Sequence, residues 1–365
     1  MKDFFTNKTH LTQIGVAIVV CVAALLFFQF MTVMSAVTYD RSEGVPEESS
    51  EKKEKAKPVL DTADYDRRIN RLAHIPEVSA TATTTELTAT QKRWQEAGKP
   101  YPLPGALLPF NRIVAYYGNF YSTRMGVLGE YPEDQMLAML KREVAVWEAA
   151  DPTTPVIPAI HYIAATAQAT PGKEGKYILR MPDSQIDIAL ALAKKVNGIV
   201  FVDLQVGQSD IQTEAPYLEK YLSMPEVHLA IDPEFYMRAG HVPGDYMGTM
   251  DASDVNWAIE YLAKIVRDNN LPPKILLLHR FTQNMLTNSE SIKPLPEVQV
   301  VIDMDGWGDP VKKINTYERV ITPEPVQFTG FKLFYKNDLK PPSTRLLTPK
   351  ELLELTPSPV YIQYQ

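Results

Sequence analysis

The chain has almost no cysteine: Cys21 stands alone among 365 residues. An intrachain disulfide and a cysteine-based zinc site are therefore both excluded. A basic excess is also lacking, since 37 Lys and Arg face 44 Asp and Glu for a formal net charge of −7. Nucleic-acid binders present a basic patch or stripe, so no nucleic-acid partner is expected. No glycine-rich phosphate loop follows an apolar run, and no H-E-x-x-H or comparable ligand spacing occurs. The first absence speaks against an open doubly wound nucleotide-binding sheet, and the second against a bound metal. The expectation is accordingly no cofactor and no metal ligand.

One stretch lacks charge altogether. Ile14–Val37 is apolar apart from Gln29 and a few small or hydroxyl residues, and it is long enough to cross a bilayer as a helix. A cleaved signal peptide carries a shorter apolar core, of about 7–15 residues; cleavage after Ala36 is the alternative. Lys2 and Lys8 precede the span and hold the N-terminus on the cytoplasmic side. The reading is a cytoplasmic segment over 1–13 and a single-pass transmembrane anchor over 14–37. The membrane is thus a partner through the N-terminal helix, and the remainder is extracytoplasmic. Residues 38–109 read as a flexible linker and entry segment. Within them Asp40–Lys57 mixes opposite charges with almost no apolar residues, Tyr65–Leu72 suits a short helix, and Ser79–Thr90 is rich in Thr and Ala.

From Arg112 onward the pattern becomes regular. Apolar strand-like runs occur at Ile113–Tyr117, Val156–Ile163, Gly198–Leu204, Val227–Ile231, Lys274–His279, Val298–Ile302, Phe328–Phe334 and Val360–Tyr364. Helical stripes lie between them: Leu137, Leu140, Val144 and Trp147; Ile186, Ala189, Leu190 and Ala193; Val255, Ile259, Leu262 and Val266. Asp251 is placed to cap the third of these, and Thr348-Pro349-Lys350-Glu351 matches a capping box with proline at the first helical position. Eight strands with crossovers over ~250 residues predict an α/β fold, a (β/α)8 TIM-type barrel over 110–365. It would lack a final C-terminal helix, and the segment around Gln91–Ala97 is available to cover that gap.

In such barrels the chemistry gathers at the C-terminal strand ends. Val227–Tyr236 is the central instance, where Leu229-Ala230-Ile231 runs into Asp232 and Glu234 with Pro233 between them. Residues two apart on a strand share a face, so the two acids point the same way, and Pro233, which cannot donate to a sheet ladder, marks this as the strand's last stretch. The other ends carry Tyr117, His161, Asp203 with Gln205, His279, Asp303 with Asp305, Lys332 and Tyr364. A single acid at such a position is commonly a helix cap. Five carboxylates at one mouth cost stability through mutual repulsion and call for another reason. Glycoside cleavage supplies one, because it needs one carboxyl held protonated and another ionised. Asp232, Glu234 and Asp303 are the candidate catalytic residues. Tyr117, His161, Asp203, Gln205, His279, Asp305, Trp307 and Lys332 are candidates for binding carbohydrate or a cell-envelope glycan. Trp307 lies between Gly306 and Gly308 in an exposed turn, suited to stack on a sugar ring. The alternative chemistry assigns Asp203, Asp232, Glu234, His279 and Asp303 to a divalent metal. His228 stands early on its strand and reads as a packed histidine.

Met125–Glu130, V-D-L-Q-V-G-Q-S-D (Val202–Asp210), L-A-I-D-P-E (Leu229–Glu234), H-R-F (His279–Phe281) and D-M-D-G (Asp303–Gly306) carry a resemblance. Over roughly Ile113–Gln365 the chain resembles a group of uncharacterised bacterial secreted or lipid-anchored proteins with a glycoside-hydrolase-like barrel. The resemblance implies the fold and an extracytoplasmic setting, and no established activity. Many glycosidase barrels carry their acid after strand four and a glutamate nucleophile after strand seven; Glu234 suits the first position, whereas strand seven here offers Lys332. Asp232 with Asp303 or Asp305 resembles a second arrangement, and of the chitinase-like D-x-x-D-x-D-x-E only the final D-x-E is present. The function these readings imply is a membrane-anchored, extracytoplasmic barrel acting on carbohydrate by carboxylate acid–base chemistry. The alternatives are a non-catalytic glycan-binding or scaffold protein and a metal-dependent hydrolase.

Overall fold

Eight runs of residues that are apolar on both faces form a closed parallel sheet. The computed structural model describes residues 59–76, 86–324 and 326–365. Its barrel strands are β1 (Arg112–Gly118), β2 (Val156–Ala167), β3 (Ile199–Leu204), β4 (Val227–Ile231), β5 (Lys274–Arg280), β6 (Val298–Met304), β7 (Phe328–Leu333) and β8 (Tyr361–Tyr364). Each pairs in parallel with its sequence neighbour, and β1 pairs with both β8 and β2, which closes the ring. A short strand, Ile178–Arg180, adds to β2 in antiparallel fashion from the following loop.

Alternation along the strands explains why the runs look uniformly apolar. Ile113, Ala115, Ala159, Phe201, Ala230, Leu277, Val301 and Phe328 point inward and form one buried cluster. Their neighbours Val114, Ile160, Val200, Leu229, Leu276, Val300, Phe331 and Ile362 belong to the second cluster, which contains the surrounding helices. A sheet covered on both faces has no polar side to show. Full burial of each such Leu, Ile or Val contributes roughly 1.5–3 kcal/mol.

The principal helices are α1 (Thr62–Leu72), α2 (Ala89–Ala97), α3 (Glu133–Ala150), α4 (Asp183–Lys195), α5 (Ala252–Asn269), α6 (Pro310–Thr316) and α7 (Pro349–Leu353). α5 starts at Asp251, whose side chain accepts from Ser253 N at 2.9 Å, and ends at Asn270 in the left-handed conformation. Its stripe of Val255, Ile259, Leu262 and Val266 is buried. α7 has the capping box between Thr348 and Glu351. The β5–β6 crossover carries 3-10 turns at Gln283–Met285 and Ser289–Ser291 and a two-residue strand, Leu286–Thr287, and no α-helix among the described residues, and β8 is the last element of the chain.

The segment expected to be linker is corrected in part. α1 and α2 pack on the N-terminal end of the barrel: Tyr65 and Leu108 are wholly buried among the inward residues, joined by Ile69, and Trp94 is buried nearby. The Tyr65 hydroxyl donates to Gly98 O at 2.7 Å, and Gln299 from inside the barrel exchanges two hydrogen bonds with the backbone of Leu108. Tyr65, Ile69 and Leu108 give this stretch enough apolar surface to fold onto the barrel, which a purely charged tether could not do. The cytoplasmic segment expected at 1–13, the anchor at 14–37 and the tether through residue 58 lie outside the described residues. Among the described residues no helix is long and apolar enough to cross a membrane.

Candidate functional site

Reading inward-facing positions along a strand shows how the site is built. On β3 the series is Ile199, Phe201, Asp203 and then Gln205; on β5 it is Ile275, Leu277 and His279. On β6 it is Gln299, Val301, Asp303 and then Asp305. Each strand thus passes through an apolar position and ends polar, and parallel strands align these ends. The polar residues occupy two tiers.

The lower tier is sealed inside the barrel. His161, Asp203, His279, Asp303 and Gln363 have no solvent exposure. Asp203 Oδ2 lies 3.4 Å from His161 Nε2 and 3.4 Å from His279 Nε2. The other ring nitrogen of His279 lies 3.2 Å from Asp303 Oδ2 and 3.3 Å from Asp305 Oδ2. His161 Nδ1 is 2.6 Å from the Tyr361 hydroxyl and 3.0 Å from Gln363 Nε2. Strand register accounts for part of this, because His279 is paired with Asp303, Asp303 with Gly330, and Gly330 with Tyr361. Gly330 is required there: a Cβ on it would stand 2.6 Å from Asp303 Oδ1. Burial pushes His161 down to about 4, against the pull of Asp203. Burial also disfavours charge on His279, but Asp203, Asp303 and Asp305 outweigh it and raise its pKa well above the usual range. Burial raises Asp303, with His279 opposing.

The upper tier lines a cavity of about 460 Å³ at the mouth. Its walls include Tyr117, Gln205, Asp232, Glu234, Asp305, Trp307 and Lys332, together with Phe235, Phe281 and Phe334. β4 stops at Ile231, and Asp232 caps a 3-10 turn over Pro233–Phe235 by accepting from Glu234 N at 3.1 Å. This turn, not strand alternation, brings both acids to the cavity. Gln205 Nε2 donates to Asp232 Oδ2 at 3.3 Å. Lys332 Nζ lies 3.0 Å from Asp305 Oδ1 and 3.9 Å from the centre of the Tyr117 ring. Burial pushes Glu234 up to about 7, Asp305 adding to the rise while Lys332 and His279 oppose it. Burial holds Asp232 well above the carboxylate range; His279 opposes this, and Glu234, Asp203 and Asp305 reinforce it.

The two tiers divide the candidates from the sequence. Tyr117, Gln205, Asp232, Glu234, Asp305, Trp307 and Lys332 meet at the cavity, whereas His161, Asp203, His279 and Asp303 sit in the buried tier. Asp303 lies within β6 and stays inside the barrel. Asp305 lies two residues further on, past the strand end, and reaches the mouth. Tyr364 faces outward, where its hydroxyl accepts from Trp147 Nε1 at 3.0 Å. The inward residues of β8 are Tyr361 and Gln363, which sequence reasoning missed although alternation from either one marks the other. His228 is packed inside, its Nδ1 accepting from Ile275 N at 3.0 Å. Arg124, Lys312 and Thr316 also line the cavity, delivered by loop and helix positions without a strand-end signal.

The molecule is therefore a closed parallel (β/α)8 barrel with a carboxylate-lined mouth. No protein-family model matches the chain, and no curated protein matches it. Solved structures to which it is similar include a GH5-4 broad specificity endoglucanase from an uncultured bovine rumen ciliate, with TM-score 0.34, 10% identity and coverage of 64% of this chain and 77% of that one. A ruminal GH26 endo-beta-1,4-mannanase gives 0.31 and 12%, covering 79% and 64%. The cellulose synthase subunit Z from Clostridioides difficile gives 0.34 and 11%, covering 70% and 91%. The chemistry that follows rests on the geometry of the site.

Proposed function

We propose that the barrel hydrolyses glycosidic bonds, with Glu234 as proton donor and Asp305 as its ionised partner. The observation that carries this reading is the unlike surroundings of two carboxyls in one cavity. Glu234 is pushed up to about 7 by burial and by Asp305, so it holds a proton near neutrality. Asp305 is paired with Lys332 at 3.0 Å. Protonation of the leaving oxygen by Glu234 would break the bond to the anomeric carbon, the Asp305 carboxylate would balance the positive charge that develops there, and water would add to that carbon with its proton passing to one of the two carboxylates. Asp232 positions Glu234 by accepting from its backbone N–H. Tyr117, Phe235, Phe281, Trp307 and Phe334 supply apolar faces for sugar rings, and about 460 Å³ lies within the usual range for ligand cavities.

A hydrolysis screen over plant, bacterial and fungal glycans tests this. Glu234→Gln is expected to lower kcat by on the order of 10²-fold or more, with Tm unchanged or raised as crowded charge is relieved. Asp305→Asn should do comparable damage, and Asp303→Asn, whose carboxyl lies below the cavity, less. Wild-type turnover in all three variants would refute the assignment. Glycan affinity without turnover in the unmodified chain would favour a binding protein that keeps the barrel alone.

We further propose that Ile14–Val37 anchors the chain in the membrane with the barrel on the extracytoplasmic side. The uncharged span and the charged stretch after it support this. Full-length chain should sediment with membranes, and protease added to intact cells with a permeable envelope should reach the barrel. Recovery of the uncleaved chain in the soluble fraction would overturn the anchor.

A further inference from the structure

The buried tier holds polar atoms that the acid–base reading does not use. Both oxygens of Asp203, Nε2 of His161 and both ring nitrogens of His279 have no aligned hydrogen-bond partner among the described residues, and none is exposed. A wholly buried carboxylate without an aligned donor is unfavourable, so an interior of this kind needs an explanation. The two histidines come from β2 and β5, with Asp203 on β3 between them. All three donor atoms lie within 4.8 Å of one another.

We propose that His161, Asp203 and His279 bind one divalent transition-metal ion inside the barrel, below Tyr117, with zinc the best match. Three observations carry the assignment. First, both imidazoles place Nε2 near the same carboxylate oxygen, at 3.4 Å each. Tetrahedral zinc bonds of about 2.0–2.1 Å place neighbouring donors roughly 3.3–3.5 Å apart. A bridging water with hydrogen bonds of about 2.8 Å would hold its partners roughly 4.6 Å apart at a tetrahedral angle. Octahedral magnesium at about 2.0–2.1 Å would draw adjacent donors to roughly 2.9 Å, and it prefers oxygen.

Second, each histidine has a hydroxyl or carboxylate close to its remaining nitrogen. His279 Nδ1 faces Asp303 and Asp305 at 3.2 and 3.3 Å, and His161 Nδ1 faces the Tyr361 hydroxyl at 2.6 Å. A carboxylate or hydroxyl behind the imidazole is the usual support of a metal-bound histidine; at His161 the side-chain amide of Gln363 also lies 3.0 Å from Nδ1. Third, the donors are two imidazoles and one carboxylate, a set that suits zinc and its transition-metal neighbours over calcium or magnesium. Three protein donors leave one tetrahedral position for a further ligand. The Tyr117 ring covers the site, its centre 5.1 Å from the His161 ring and 5.8 Å from the His279 ring. Tyr117 also lines the cavity above.

The test uses the full chain in mild detergent and does not depend on turnover. Metal content is measured by mass spectrometry after purification, and again after chelator treatment and addition of zinc or cobalt(II). The expected result is about one ion per chain, a Tm that falls on chelation and recovers with zinc, and the intense visible absorption of tetrahedral cobalt. His161→Gln and Asp203→Asn should each lower zinc affinity by at least 10-fold, while Glu234→Gln keeps the ion. The cobalt spectrum of the unmodified chain reads the site even where a variant fails to fold. Chelated chain that takes up no zinc, cobalt or manganese, with Tm unmoved, would overturn the proposal and leave His279 as an imidazolium between carboxylates. Full affinity in both variants would overturn it equally, since the ion would then sit elsewhere. Failure of the ion leaves the Glu234 and Asp305 assignment standing, and the reverse also holds.

Discussion

The two ends of the barrel are made from the same strands and have opposite interiors. At the N-terminal end Ile113, Ala159, Ile275 and Phe328 meet Tyr65, Ile69 and Leu108 in a dry apolar plug. At the C-terminal end Asp203, Asp232, Glu234, His279, Asp303, Asp305 and Lys332 crowd together, with one cavity above them. Two residues along a strand separate these regions: Phe201 from Asp203, Leu277 from His279, Val301 from Asp303. Stability is concentrated at the end where side chains bury without polar cost. The other end places titratable groups in low-dielectric surroundings, where their protonation states are pushed apart. The plug is what lets the mouth carry unfavourable charge.

The strongest way to break the contrast is to open the plug. Tyr65→Ala removes a wholly buried ring and its hydrogen bond to Gly98 O. A loss of about 3–5 kcal/mol is expected, read by denaturant unfolding. Below the shifted Tm, the glycan affinity of the remaining folded protein should stay unchanged. A loss under ~1 kcal/mol would show that α1 is dispensable and that the strands alone close the lower end.

A smaller effect sharpens the contrast from the other side. Glu234 is raised from 4.5 to about 7 in the folded chain, so between these values the folded state binds more proton than the unfolded one. Its contribution to stability is complete below about pH 4.5 and is lost as pH rises through about 7. Asp232 is raised too and contributes with the same sign. Tm should therefore decline across that window, and Glu234→Gln should flatten part of the decline. Turnover that needs protonated Glu234 should fall over the upper part of the same range. A profile unchanged by the substitution would remove Glu234 as the titrating group.

Much of the barrel was legible because its strands are buried on both faces. Such strands write themselves as short apolar runs, and the eight runs agree with β1–β8 to within a few residues. Caps at Asp251 and Thr348 were equally readable, since a cap is a local hydrogen bond between residues two or three apart in sequence. The plug was harder: α1 and α2 carry few apolar residues, and only contact with the barrel end shows that Tyr65 and Trp94 are core. At the mouth, strand ends identified the chemical residues without separating the tiers. Asp303 and Asp305 look alike in D-M-D-G, yet one is enclosed beside Gly330 and the other meets Lys332 in the cavity.

What the sequence determined by itself was the order of apolar strands, the period-two alternation and the kinds of charged residue that follow each strand. These are local properties, set by burial and by backbone geometry within a few residues. Tertiary structure alone decided which of those residues share a neighbour. Only ring closure and register bring His161 and His279, 118 positions apart, to one oxygen of Asp203. Distances between strands that are remote in sequence are a product of closure, and no local pattern encodes them.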